Sequence, residues 1–232
     1  MAALECRAVG TLEEAQLGEL TELLIGLSGT QPEALNQHEV VLKAPADAAA
    51  STTGGPRAWK PDLRLQHDLS PSSSGRGDAA SEAWTVLQFS LHLRGKQHAA
   101  LPATVRHVTR TQCTGEDVPA FWQALGFAPH FQLVRRGHCF LVPLEGQEVQ
   151  VSVCRVLRLQ PRPASHDGSA SQPAAAQQWE ELSPGRMLVE AVACVPSEAD
   201  HMASVAAVTA LAELLQLYTT LQRPPRAPGE PM

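Results

Sequence analysis

The chain has 232 residues, of which 44% are hydrophobic and 4% aromatic, with 18 prolines and 16 glycines. A chain of this length typically buries about 70% or more of its unfolded surface, so it can build its own core. Its formal net charge of −6 gives no electrostatic drive toward phosphate backbones, which disfavours nucleic acid as the main ligand.

Two further exclusions come from the order of the residues. No stretch approaches the roughly 18 consecutive apolar residues of a membrane-spanning helix. The opening MAALECRAVG lacks the charged-then-apolar order of a secretory signal. Cys6, Cys113, Cys139, Cys154 and Cys194 are widely spaced with no C-x-x-C pair. An odd count in such a chain predicts reduced thiols that serve mostly as small core hydrophobes.

In chain order, the first predicted element is a helix after Thr11. Thr11 and Glu14 have capping-box spacing, Leu17, Leu20, Leu23, Leu24 and Leu27 share one face, and Gly29 closes it. QHEVVLK at 37–43 reads as a strand. Residues 44–80 are rich in Ala, Ser, Pro and Gly, and are expected to form an inserted low-complexity loop with one short strand near Trp59 to Leu65. Residues 83–93 alternate as Trp84 and Val86, then Phe89, Leu91 and Leu93, a change of parity near Leu87 that predicts a bulge. After a strand from 105, Val118, Phe121, Trp122 and Leu125 fall at helical spacing. That helix is expected to start near Asp117, with Pro119 tolerated in its first turn, and to stop at Gly126 with Phe127 folding back on Trp122.

The second half reads as strands and one long helix. FQLVRRGHCFLV at 131–142 predicts a hairpin turning at Arg136-Gly137, and Glu145-Gly146 predicts the next turn. Residues 148–159 alternate through Val149, Val151 and Val153 to Leu157 and Leu159, with Arg155 out of pattern. Residues 160–178 are a second expected inserted loop. Residues 186–195 put Met187, Val189, Ala191, Ala193 and Val195 on one face of a strand. A cap at Ser197, with Asp200 three residues on, predicts a helix to about Gln222, followed by a tail over 223–232. Met202, Val205, Val208, Leu211, Leu215 and Tyr218 form its core-facing stripe. Leu214, Leu217 and Leu221 lie on a flank and are the candidate partner-binding residues. The sum is one domain over 1–232, mainly β (α+β): an antiparallel β-barrel with peripheral amphipathic helices.

Most catalytic templates fail. There is no P-loop, no G-x-G-x-x-G after a strand, no G-x-S-x-G and no H-E-x-x-H, and no histidine pairs with cysteine at zinc spacing. A barrel strand bearing E-x-E-x-K could hold a divalent metal against a polyphosphate in a tunnel, because alternation points all three side chains inward. Here Glu39 and Lys43 are in register, but Val41 stands in the middle position. Other strands supply Arg106, Arg135, Arg155 and Arg158 but few acids beyond Glu148 and Glu190, and a hard cation needs convergent oxygens. No catalytic, cofactor-binding or metal-ligating residue is assigned.

Several segments together resemble the Mediator subunit 18 family. They are QHEVVLK after a leucine-rich helix, VRHVTRTQCTGEDVPAFWQALGF at 105–127, FQLVRRGHCFLV followed by EVQVSVCRVLRL, and MLVEAVACVP before a C-terminal helix. The two low-complexity segments match nothing in it. The resemblance implies an antiparallel β-barrel with peripheral helices, no catalysis, no cofactor, and a scaffold role in the nucleus within the Mediator head module. It further implies pairing with Mediator subunit 20 and docking onto a C-terminal helix of Mediator subunit 8. The barrel it implies is also similar in fold to tunnel-type RNA triphosphatases, so a metal-dependent phosphohydrolase is the alternative function.

Overall fold

The computed structural model describes residues 2–44, 63–70, 83–93, 101–159, 179–196 and 201–224. The low-complexity stretches flanking Leu63–Asp68, the segment 160–178, Ser197, Asp200 and the tail from 225 lie outside these residues.

The described residues form nine strands: β1 (Ala2–Glu13), β2 (Glu33–Lys43), β3 (Leu63–Asp68), β4 (Ala83–His92), β5 (Thr104–Thr114), β6 (Ala128–Leu144), β7 (Gln147–Leu159), β8 (Trp179–Glu181) and β9 (Arg186–Pro196). Every pairing is antiparallel, in the order β6-β2-β3-β4-β5-β1-β9-β7, and β7 pairs back with β6. Eight strands therefore close into a barrel, which leaves no long free edge, while β8 pairs with the end of β7. Among the described residues, three α-helices lie outside the barrel: α1 (Leu17–Ser28), α2 (Val118–Ala124) and α3 (Met202–Leu214).

Alternation along the strands gives the barrel an apolar outside and a polar inside. Leu4, Cys6, Ala8 and Leu12 of β1 face out, together with Val149, Val151 and Val153 of β7 and Val189, Ala191 and Ala193 of β9. Against this wall pack Leu20 and Leu24 of α1, Val205, Val208 and Leu211 of α3, and Leu215 just beyond it, all buried. Fully burying one such leucine contributes about 1.5–3 kcal/mol, so this external layer is the main core. A second cluster joins Val40, Leu42, Leu63, Leu65, Trp84 and Val86 to Val118 of α2.

Two small devices place the helices as the sequence predicts. Gly29 ends α1 in the left-handed region at φ 67°, donating its N–H to the Ile25 carbonyl at 2.9 Å. Asp117 caps α2 by accepting from the Ala120 N–H at 2.8 Å, and Trp122 meets the edge of Phe127 with centroids 5.4 Å apart. The β6–β7 turn also stands as expected, with Glu145 and Gly146 both at positive φ.

Other expectations are corrected. Residues 2–13 form a strand, so Thr11 pairs with Leu188 rather than capping a helix, and Gln16, which precedes α1, makes no side-chain cap bond. Residues 128–144 are one uninterrupted strand: Gly137 sits opposite Cys154 instead of turning the chain. The parity change at Leu87 is not a bulge. Trp84 and Val86 face α2 while Leu87 and Phe89 face inward, and the irregularity in pairing lies between Phe89 and His92. The last helix ends at Leu214, not near Gln222. Beyond it the chain turns, and Val9 and Gln222 exchange two backbone hydrogen bonds of 2.8 Å.

Candidate functional site

The inward-facing positions converge on a buried network of charges. Glu39 of β2 is completely buried; it accepts from Arg64 Nη1 at 3.2 Å and Gln66 Nε2 at 3.0 Å, both on the neighbouring β3. Arg135 of β6 reaches the same carboxylate at 3.8 Å and is also paired with Glu190 of β9. Glu190 in turn pairs with Arg7 of β1. Across the β1–β5 pairing, Arg106 Nε and Nη2 both donate to Glu5 Oε1, at 3.0 and 2.7 Å. Above these groups lies a cavity of about 320 Å³ whose lining includes Arg7, Arg64, Arg135 and Glu190. Phe89, Leu87, Val108 and Ala3 make a small apolar cluster inside the barrel, with the Arg106 guanidinium 3.7 Å from the Phe89 ring centroid.

The electrostatics follow from that pairing. Burial alone would raise the Glu190 carboxyl, but the guanidiniums of Arg135 and Arg7 overcome it and hold the group down at about 2. Glu39 is also lowered, burial being outweighed by Arg135, Arg64 and the Gln66 amide. Burial pushes the Cys6 and Cys154 thiols up to about 12, so both are held as neutral thiols. Cys139 is buried as well, whereas Cys113 is half-buried and Cys194 exposed.

A pH dependence results. Because the Glu190 carboxyl is depressed from 4.5 to about 2 on folding, its stabilising contribution is complete above about pH 4.5 and is lost as pH falls through about 2. At about 1.4 kcal/mol per unit it is on the order of 3 kcal/mol. Denaturant midpoints should therefore fall steeply over that acid window, and Glu190→Gln should flatten the fall. Equal acid slopes for the two proteins would remove Glu190 as the titrating group.

Of the residues singled out from the sequence, Glu39, Glu190, Arg106 and Arg135 enter the interior. Arg155 instead pairs with Glu14 and Glu181 at a half-exposed position, and Arg158 and Glu148 are exposed. Val41 is buried next to Glu39, and Lys43 is exposed at the end of β2. Glu5, Arg7 and Arg64 escaped notice. Their signal was present, since Glu5 and Arg7 alternate with Leu4, Cys6 and Ala8 along β1.

The flank residues are divided. Leu217 is 82% exposed and Leu214 45% exposed, whereas Leu221 is only 5% exposed and belongs to the main core. Leu221 thus leaves the candidate set, because the chain after Leu214 turns inward toward β1 rather than continuing as a helix. Leu217 lines an open cavity of about 470 Å³ together with Val9, Thr11, Leu188 and Tyr218.

No family model matches the chain. It is 25% identical over 227 residues to Mediator of RNA polymerase II transcription subunit 18 from Arabidopsis thaliana, covering 98% of this chain and 90% of that protein. Its fold is similar to a chain in the Schizosaccharomyces pombe Mediator head module, with a TM-score of 0.63, 14% identity, and coverage of 95% of this chain and 98% of that one. It is also similar to the PH1819 protein of Pyrococcus horikoshii OT3, with a TM-score of 0.51, 14% identity, and coverage of 97% and 96%. The Mediator subunit 18 resemblance carried by the sequence is thus matched by a relative along nearly the whole chain and by the fold of a Mediator head chain.

Proposed function

We propose that the protein is a non-catalytic scaffold subunit of the Mediator coactivator, acting in the nucleus through contacts with other Mediator subunits. The likeness to Mediator subunit 18 over nearly the full chain supports the assignment. The observation that carries the non-catalytic part is the state of the interior carboxylates. Glu5, Glu39 and Glu190 are each engaged by arginine, so their charge is already compensated within the chain rather than left for a cation. A hydrolase of the tunnel type needs convergent free carboxylates for its metal.

The finer reading is that the head module's subunit 20 pairs with this chain and that a helix of subunit 8 docks on it, as the family resemblance implies. Leu214 and Leu217 are proposed as part of such a contact. A leucine as exposed as Leu217, at the rim of an open groove beside β1 and β9, suits a partner's apolar side chain. Leu217→Asp is expected to leave the isolated protein folded, with stability changed by less than about 0.5 kcal/mol, as for surface substitutions generally. Recovery of other Mediator subunits with the tagged protein from nuclear extract should drop sharply. Full recovery of every subunit with the folded mutant would remove Leu217 from the interface. Recovery of no Mediator subunit with the wild-type chain would sink the scaffold assignment itself.

A further inference from the structure

Between β8 and β9 the chain makes a tight turn, Ser183-Pro184-Gly185-Arg186. Proline presets its first corner, Gly185 takes φ 77° at the second, and the Arg186 N–H donates to the Ser183 carbonyl at 3.1 Å. All four residues are exposed, and so is Leu182 before them. The turn therefore presents a primary hydroxyl, then a residue without a backbone N–H, then a guanidinium three positions on. A second Ser-Pro step exists at Ser70-Pro71, but Ser73 stands three positions after Ser70 and the Ser70 hydroxyl oxygen is buried.

The turn sits among charges from neighbouring strands. Arg186 Nε lies 2.9 Å from Glu13 Oε1, both exposed at the end of β1 and the start of β9. Arg155 of β7 pairs with Glu14 and lies 3.7 Å from Glu181 Oε1. Three carboxylates thus share two guanidiniums. A phosphate on Ser183 would bring a charge of about −1.5 to −2 at pH 7 and three strong acceptor oxygens, and would compete with Glu13 for Arg186. Glu13 also lines the open cavity of about 470 Å³ that Leu217 borders. A phosphate at the turn, with Glu13 released beside it, makes the rim of that groove anionic, which disfavours an apolar side chain entering it.

We propose that Ser183 is the phosphate acceptor for a protein kinase that selects proline next to the hydroxyl and a basic residue three positions on, and that its phosphate controls docking in the groove at Leu217. The second half rests on the scaffold reading above; the first does not. In the transfer, Ser183 Oγ attacks the γ-phosphorus of the kinase's ATP. The new Oγ–P bond forms as the bond from that phosphorus to the β,γ-bridging oxygen breaks, ADP leaves, and the hydroxyl proton passes to the kinase's catalytic aspartate. A kinase cleft takes an extended chain, so the turn opens first. Three backbone hydrogen bonds hold it: Leu182 to Val156, Glu14 to Gly185 and Arg186 to Ser183. β8 adds only three residue pairs with β7, so the opening is local.

The test incubates the full chain with ATP and a purified proline-directed kinase of that specificity, then reads intact mass and maps the modified peptide. One phosphate on Ser183 is expected. Ser183→Ala should lose it with an unchanged melting temperature, and Arg186→Gln should slow labelling of Ser183 by about tenfold, the loss of one charge-assisted contact to the kinase. A wild type that is labelled only elsewhere, or not at all, overturns the proposal. The phosphorylated and unmodified proteins are then compared in nuclear extract with phosphatases inhibited. Recovery of other Mediator subunits should fall severalfold on phosphorylation, and Ser183→Glu should reproduce part of the fall. Equal recovery by the two forms would overturn control of the groove. Recovery of nothing by the unmodified chain would instead sink the scaffold reading, and the control built on it, while the mass measurement still decides whether Ser183 is an acceptor.

Discussion

Arg135→Met is expected to destabilise the protein by about 3–5 kcal/mol, the loss typical of breaking a buried pair by removing one partner. Arg135 lies between Glu39 and Glu190, both buried, and serves as a common cation for the two. Methionine fills much of the volume but leaves two carboxylates facing each other with less compensation. Arg64 and Gln66 still attend Glu39, and Arg7 still attends Glu190, so the protein should fold, with a lower denaturant midpoint. Adding Glu190→Gln to Arg135→Met should recover part of the loss, because it removes one of the stranded charges. A double mutant that is less stable than the single mutant by a further full increment would show that the groups act independently and that no shared network exists.

Gly137→Ala should cost at least about 3 kcal/mol, at or above the usual upper end for overpacking. Gly137 lies in β6 opposite Cys154, and a Cβ there would sit 2.7 Å from Cys154 Cα and 2.9 Å from the Val153 carbonyl carbon. Those are backbone atoms of the neighbouring strand, so no side-chain rotation relieves the clash. The two strands would have to part where β6 and β7 close the barrel. Gly26 in α1 is the control. A Cβ there meets nothing within 4 Å, and Gly26→Ala should stabilise the protein by about 0.5–1 kcal/mol through helix propensity. Thermal melts of the two variants should shift in opposite directions. An unchanged melting temperature for Gly137→Ala would mean that β6 and β7 separate there at little cost.

The same glycine shows what the sequence hides. Arg136-Gly137 reads as a turn because glycine between polar residues is the usual mark of one, whereas here glycine is present so that two backbones can approach. The strands with β-branched residues at every second position, β7 above all, were legible because the wall of the barrel needs an unbroken apolar face. β1 was not, because three consecutive outward positions between Leu4 and Leu12 are small: Cys6, Ala8 and Gly10 carry little hydrophobic signal. The fold explains their size, since a Cβ on Gly10 would lie 2.9 Å from the Thr220 carbonyl oxygen of the segment that crosses it. The last helix was read too long for a related reason. Leu217 and Leu221 continue the helical spacing, but Leu221 is placed by the return of the chain to β1, a long-range contact that no local period reports. The charged interior was half legible. Glu39, Arg106, Arg135 and Glu190 could be named as inward candidates, but their pairing depends on registers between strands distant in sequence.

The position of β1 between β5 and β9 sets the order in which the molecule can be completed. Leu4 finds its partner only when Val195 is available, and Gly10 only when Val189 is. On a ribosome, the first strand therefore emerges long before the strand that closes the barrel over it. Pairings this distant are slow to form, and until they do, one side of β1 offers unpaired backbone groups to any passing chain. Nascent chains arrested before residue 186 should accordingly need chaperone protection, whereas chains released after 222 should not.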